Sequence, residues 1–360
     1  MRIRNVLIVN TFGIGDVLFS TPLVRGIKEN FPETGVHYIC NRRNTTLLRN
    51  DPEIESVIVY EKDDFRLALK ESKIKGIKKI ARFIKKIKDL NIDVAIDLTL
   101  NYQMRIVLML AGVKNRVGFN YRGRGRFLTR SLPLRGFEGR HVAAHYLDLL
   151  GFLDISPIAG RYGLRAYSSG EGRDSVDRLL KEKGLAGKRL VGIVAGGGKS
   201  WGEYASYRRW PRENFAYLAR KLAEGGDLAI VIFGTKEENH ICEEIQKDVG
   251  PKAVSMCGKT NLDTLIEFIG RLDLLICNEG GPLHIAVSRD INTISIYGPV
   301  DDAIYGPYPV SPKHKIVKAE NVECRPCYKN FKHRMCETRD CLNKIDRDYV
   351  LKLAKESLGI

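Results

Sequence analysis

At 360 residues the chain is long for one compact core, and a scale of about 150 residues per domain predicts two. Its hydrophobic share of 44% and charged share of 28% are those of a globular protein, and no apolar run of about 18 residues marks a membrane span. The net charge of +16 calls for an acidic partner; without RNA-recognition aromatics, a helix-turn-helix pattern or a long basic tail, nucleic acid ranks behind a phosphorylated substrate and an anionic membrane surface.

The first residues run into a strand-like segment without a signal-peptide layout, so a cytoplasmic location is expected, with peripheral contact at the inner face of the membrane as an extension. The apolar run 6–9 ends at Asn10-Thr11-Phe12-Gly13-Ile14-Gly15-Asp16, and a helical pattern follows to about residue 30. Strand, glycine-rich turn and helix open a doubly wound α/β fold. A dinucleotide fingerprint would need glycine where Leu18 stands, which argues against a nicotinamide enzyme. Asp16, read alone, caps the helix through its carboxylate.

Further strands are predicted at 36–40, 57–60 and 94–98, the last carrying Asp97 and Thr99 at its carboxyl end. Between 73 and 90, Ile74, Ile77, Ile80, Ile84, Ile87 and Leu90 recur at helical spacing among lysines. The pattern reads as a helix packed on the sheet by its isoleucine stripe, whose solvated cationic face is also suited to anionic lipid. The loop Asn120-Tyr121-Arg122-Gly123-Arg124-Gly125-Arg126 is either a solvated basic turn or a clamp on phosphates or carboxylates.

A Pro/Gly-containing stretch puts the domain boundary near 161–175, after which a second α/β unit begins. Strand 191–194 leads into Ala195-Gly196-Gly197-Gly198-Lys199-Ser200. A P-loop would need glycine in place of Ile193 and a helix directly after the serine, so this is a phosphate loop of another kind. Strand 228–233 and helix 262–269 come next, and the apolar run 272–277 ends in Asn278-Glu279-Gly280-Gly281-Pro282-Leu283-His284. Glycines and an N1 proline after a strand leave unpaired N–H groups at a helix mouth, where anions bind. Glu279 stands where α/β sheets place their ligands, and His284 is either a phosphate contact or a structural histidine. A closing amphipathic helix at 346–358 is expected to cross back to the first domain.

Four cysteines, Cys40, Cys242, Cys257 and Cys277, read as buried thiols. Cys324, Cys327, Cys336 and Cys341 cluster in a polar stretch as C-x2-C-x8-C-x4-C, a candidate structural zinc site set against free thiols or disulfides.

Three segments resemble glycosyltransferase family 9, the heptosyltransferases of lipopolysaccharide core synthesis. These are G-x-G-D-x-x-x-x-x-P from Gly13 to Pro22, Arg208-Arg209-Trp210-Pro211-x-Glu213, and N-x-G-G-P-x-H-x-A from Asn278 before Tyr297-Gly298-Pro299. The chain departs from the family pattern twice, with Arg208 where the family has lysine and Glu279 where it usually has aspartate. The resemblance covers about residues 3–350 and implies a GT-B fold, two Rossmann-like domains facing a cleft, here 1–165 and 175–345. It implies inverting transfer of heptose from ADP-heptose to an acidic glycolipid of the lipopolysaccharide core, with Asp16 as base; no acidic D-x-D motif stands in position for a catalytic metal, so none is expected to be required. Donor contacts would come from Gly196, Gly197, Gly198, Lys199, Arg208, Glu279, Gly280, Gly281, Pro282 and His284, and acceptor contacts from Thr11, Gly13, Gly15, Arg122 and Arg124. A family 9 enzyme with another nucleotide sugar, and a nucleotide-binding protein without catalysis, are the alternatives; a P-loop ATPase would need Lys199 and Mg²⁺.

Overall fold

Runs such as Val6-Leu7-Ile8-Val9 and Leu274-Leu275-Ile276-Cys277 are apolar on both faces, which suits parallel strands covered by helices on each side. The computed structural model describes residues 3–137, 139–158, 160–198, 202–224, 227–329, 331, 332, 334 and 336–360. It divides into two units, Met1–Gly163 and Leu164–Ile360.

The first unit contains β1 (Asn5–Val9), α1 (Ile14–Asn30), β2 (Gly35–Cys40), α2 (Thr45–Arg49), β3 (Ser56–Val59), α3 (Lys62–Glu71), α4 (Lys73–Asp89), β4 (Val94–Asp97), α5 (Tyr102–Leu110), β5 (Asn115–Tyr121), β6 (Arg130–Leu134) and α6 (Val142–Asp148). Its parallel sheet has the order β3-β2-β1-β4-β5-β6. The second unit contains α7 (Gly170–Glu182), β7 (Arg189–Val194), α8 (Arg212–Glu224), β8 (Leu228–Ile232), α9 (Asn239–Val249), β9 (Ala253–Ser255), α10 (Leu262–Ile269), β10 (Leu274–Asn278), α11 (Gly281–Ser288), β11 (Asn292–Tyr297), α12 (Asp302–Tyr305), β12 (His314–Lys318), α13 (Asp340–Asn343) and α14 (Arg347–Leu358). Its sheet runs β12-β11-β10-β7-β8-β9, so both units have the 3-2-1-4-5-6 strand order of the dinucleotide-binding fold. In each, ligands are expected at the carboxyl ends of the first and fourth strands, where the crossovers change direction.

Three expectations are corrected. The second unit starts earlier than residue 175, because Ser169 caps α7 and its N–H donates to Asp263 of α10 at 2.9 Å. The closing helix α14 does not cross back: Val350, Ala354 and Leu358 enter the core of the second unit. On α4 the predicted stripe holds only toward the end of the helix, where Ile84 and Leu90 pack against the core beside Ile87. Phe83 and Ile87 enter the core, whereas Ile74 and Ile77 are 67% and 62% exposed. The cause lies in α3, whose Leu69 packs so closely on Gly76 that a Cβ there would fall 2.4 Å from it.

The interior of the first unit also holds a fully buried ion pair. Arg105 of α5 donates through Nε to Asp97 at the end of β4 at 2.7 Å, and through its other nitrogens to the carbonyls of Phe119 (3.0 Å) and Arg124. The other Asp97 oxygen accepts from the N–H (3.0 Å) and Oγ1 (2.7 Å) of Thr99. Arg105→Ala would leave a buried carboxylate without its counter-charge, and chemical denaturation should read a loss of about 3–5 kcal/mol.

Candidate functional site

At the end of β10 the glycine loop, the Trp210 segment and the Gly280 turn are tied together by one side chain. Asn278, only 2% exposed, accepts from the Trp210 N–H at 2.9 Å and donates to the carbonyls of Ala195 (2.8 Å) and Gly196 (3.3 Å). Trp210 is buried edge-on against Phe215, so the aromatic pair anchors the segment in the core. Gly280 follows at φ 145°, a conformation open to glycine, and caps α11, whose first turn holds Gly281 and Pro282. His284 is buried on the same helix.

Arg208 and Glu279, singled out separately in the sequence, are partners. Arg208 donates through Nε and Nη2 to the two oxygens of Glu279, and through Nη2 to the Glu279 carbonyl at 3.0 Å. Both side chains are 6% exposed. The Glu279 carboxylate thus holds a guanidinium against the Gly280 turn, where a Cβ would stand 3.4 Å from Nη2. Burial first, and then the nearby Glu279 charge, pushes the Tyr297 phenol and the Cys277 thiol above their ordinary ranges, so both stay neutral near physiological pH.

The loop after β7 has an organiser the sequence reading missed. Glu238, 5% exposed, accepts from the N–H groups of Gly198 (3.0 Å) and Thr235 (2.9 Å) and from Arg209 at 3.3 Å. A Cβ on Gly196 would collide with that carboxylate at 2.3 Å. The Gly198 N–H, expected to face phosphate, is thus engaged by Glu238. Lys199 lies outside the described residues. The signal for Glu238 was the Thr235-x-x-Glu238 capping box, visible in the sequence as a helix start only.

In the first unit Thr11, Gly13, Gly15 and Asp16 share the turn from β1 into α1. The Asp16 carboxylate accepts from the Gly13 N–H at 3.1 Å, which is the capping contact. Three asparagines hold this turn: Asn10 donates to the Asp16 carbonyl (2.9 Å), while Asn41 and Asn44 each donate to that of Phe12 at 2.8 Å. Beside it a cavity of about 590 Å³ is bounded by Thr11, Asn41, Arg43, Lys62, Thr99 and Gln103, among others. Arg122 and Arg124 stand exposed on the β5–β6 crossover, which Arg105 holds from below through the Arg124 carbonyl.

The four clustered cysteines range from exposed Cys324 to buried Cys341, and all are free thiols. Burial and then the neighbouring Cys327, Cys324 and Cys336 push the Cys341 thiol up to about 11, so the four share one region. Among the described residues no group of His, Cys, Asp or Glu converges to hold a metal. Cys341 points into the second core from α13, and Cys336 accepts from the Arg339 N–H at 3.3 Å.

Two units with Rossmann strand order, the second carrying glycine turns at its switch point, define a GT-B glycosyltransferase fold. The chain belongs to glycosyltransferase family 9 (heptosyltransferase), whose model matches residues 80–336. It is 24% identical over 331 residues to lipooligosaccharide heptosyltransferase 2 of Campylobacter jejuni, covering 90% of this chain and 91% of that one. The fold is similar to the family 9 glycosyltransferase of Veillonella parvula, with TM-score 0.81, 21% identity and coverage of 99% and 98%. It is also similar to E. coli ADP-heptose lipopolysaccharide heptosyltransferase II, with TM-score 0.77, 18% identity and 98% of each chain covered.

If Arg208 and Glu279 act as one unit, Arg208→Lys and Glu279→Asp should each cost about 1–3 kcal/mol in chemical denaturation. The double variant should cost less than their sum by about 0.5–3 kcal/mol.

Proposed function

We propose that the chain transfers heptose from ADP-heptose to an acidic glycolipid acceptor of the lipopolysaccharide core or a related surface glycan, with inversion at the anomeric carbon. The observation that supports this reading best is the Asn278 clamp, which joins three of the segments proposed to bind the donor at the switch point of the second sheet. The family and its heptosyltransferase members supply the sugar.

The reaction needs an acceptor oxygen made nucleophilic and a diphosphate made a good leaving group. In this reading Asp16 takes the proton of the attacking hydroxyl as the oxygen bonds to the anomeric carbon. The bond to the diphosphate breaks, and its electron pair leaves with the phosphate oxygen. The negative charge that develops there meets the N–H groups at the mouth of α11, with Arg208 beside them. Glu279 positions Arg208, and Lys199 remains a proposed contact on the neighbouring loop. Asp16 serves two purposes without conflict, since the Gly13 N–H that it caps also fixes where its carboxylate points. An acidic acceptor suits the cavity beside Thr11, where Arg43 and Lys62 are exposed.

Transfer in this scheme uses fixed dipoles and cations, so we propose that it requires no metal. Incubating the enzyme with a panel of nucleotide sugars and core-glycan acceptors, with mass-spectrometric detection of both products, tests the donor and acceptor directly. Turnover with a different nucleotide sugar alone would replace heptose in this reading. Asp16→Asn should retain ADP affinity by calorimetry while transfer falls about 10²- to 10⁴-fold; near wild-type turnover would reduce Asp16 to a helix cap. Activity should survive EDTA, and a loss restored by Mg²⁺ would refute the metal-free scheme, whereas a loss restored by zinc alone would implicate the cysteine cluster.

A further inference from the structure

The α3–α4 hairpin is a weakly buried part of the first unit. Helix α3 has no buried residue, and four large apolar side chains are exposed along the pair: Leu67 at 57%, Leu69 at 42%, Ile74 at 67% and Ile77 at 62%. An exposed isoleucine pair one turn apart, on a helix whose Phe83 and Ile87 enter the core, is unusual for a sheet-covering helix. Around it the charge is strongly one-signed, with eleven basic and four acidic residues between Lys62 and Asp89. Lys70, Lys73, Lys78, Lys85 and Lys88 are exposed and have no carboxylate partner among the described residues. Among the described residues no helix is long and apolar enough to cross a membrane, so contact with lipid would be at the surface.

We propose that the outer face of the α3–α4 hairpin docks on an anionic bilayer surface, with Ile74 and Ile77 entering the headgroup boundary and the flanking lysines pairing with lipid phosphates. The two halves of the face select this partner together: exposed isoleucines gain from leaving water, and lysines with long apolar stems reach past them to anionic headgroups. A second copy of the chain fits worse, because a two-fold contact would set this positive face against itself. Hairpin and cavity are continuous, since Lys62 and Asp63 at the start of α3 line the cavity beside Thr11. Docking would therefore hold that cavity close to lipid-linked molecules.

Vesicle binding tests this without substrates and does not depend on which sugar is transferred. The full chain should co-sediment with phosphatidylcholine vesicles containing about one-third phosphatidylglycerol, weaken steeply with added salt, and bind pure phosphatidylcholine poorly. Lys73→Gln, Lys78→Gln and Lys85→Gln should each weaken binding about five-fold, and the pair Ile74→Ser/Ile77→Ser about ten-fold, with circular dichroism unchanged. Failure of the wild-type chain to bind the anionic vesicles overturns the proposal, as does binding that neither set of variants alters. If Ile74→Ser/Ile77→Ser instead abolished self-association in sedimentation analysis and left vesicle binding intact, the face would belong to a second copy.

Discussion

A guanidinium taken out of water loses several kcal/mol of hydration, and the loss is recovered only when its donors and its counter-charge are satisfied in a fixed geometry. Each unit of this protein contains such an arrangement at the carboxyl end of its fourth strand. In the first, Arg105 meets Asp97 and two carbonyls; in the second, Arg208 meets Glu279 through both carboxylate oxygens and its carbonyl. The surrounding loops are rich in glycine and arginine and would be costly to order by their own contacts. Arg105 removes freedom from the β5–β6 crossover, and Arg208 from the turn into α11. The buried pairs are thus best understood as fixing loop geometry, with any net gain in stability secondary.

That ordering bears on how the second unit could meet a diphosphate. A free arginine would offer its full charge at a flexible position, whereas paired Arg208 brings a dipole at a fixed one. More of the electrostatic work then falls on backbone N–H groups, which are already oriented and need no reorganisation when charge develops. Asn278 and Glu238 contribute to the same end: one aligns three segments, and the other sets the path of the loop after β7. Both are buried, and neither needs to touch a ligand to matter.

Much of this was legible in the sequence. The inner strands announced themselves as short apolar runs, and the glycine turns at 13–15, 196–198 and 280–281 marked the switch points correctly. The strands left unassigned, β5, β6, β9 and β12, are short or carry polar residues, and β6 contains Pro133 at an outer position of its sheet. The unread parts of the site share a different cause. Asn278 to Ala195, Arg208 to Glu279 and Glu238 to Gly198 join residues 83, 71 and 40 positions apart. Local pattern supplies the residue types at such sites, but the pairing is chosen by the fold. On α4 the stripe was plain in the isoleucines, yet its first half stays exposed where Leu69 of a neighbouring helix meets Gly76.

The two departures from the family pattern acquire a physical meaning once Arg208 and Glu279 are seen to touch. Taken separately, arginine for lysine and glutamate for aspartate are each conservative changes at a motif position. Taken together, they set a planar fork beside a carboxylate one methylene longer than aspartate's. Lysine presents a point charge and accepts many approach directions; arginine matches a carboxylate through two parallel hydrogen bonds and tolerates few. The extra methylene of glutamate lets its two oxygens meet Nε and Nη2 while its own carbonyl still receives Nη2 at 3.0 Å. Reverting one residue would therefore leave a gap or an unmatched donor in a site that is 6% exposed, where water cannot readily fill the role. The pair behaves as one structural choice, and its consequence is a stiffer mouth for α11 than the two residues would give singly.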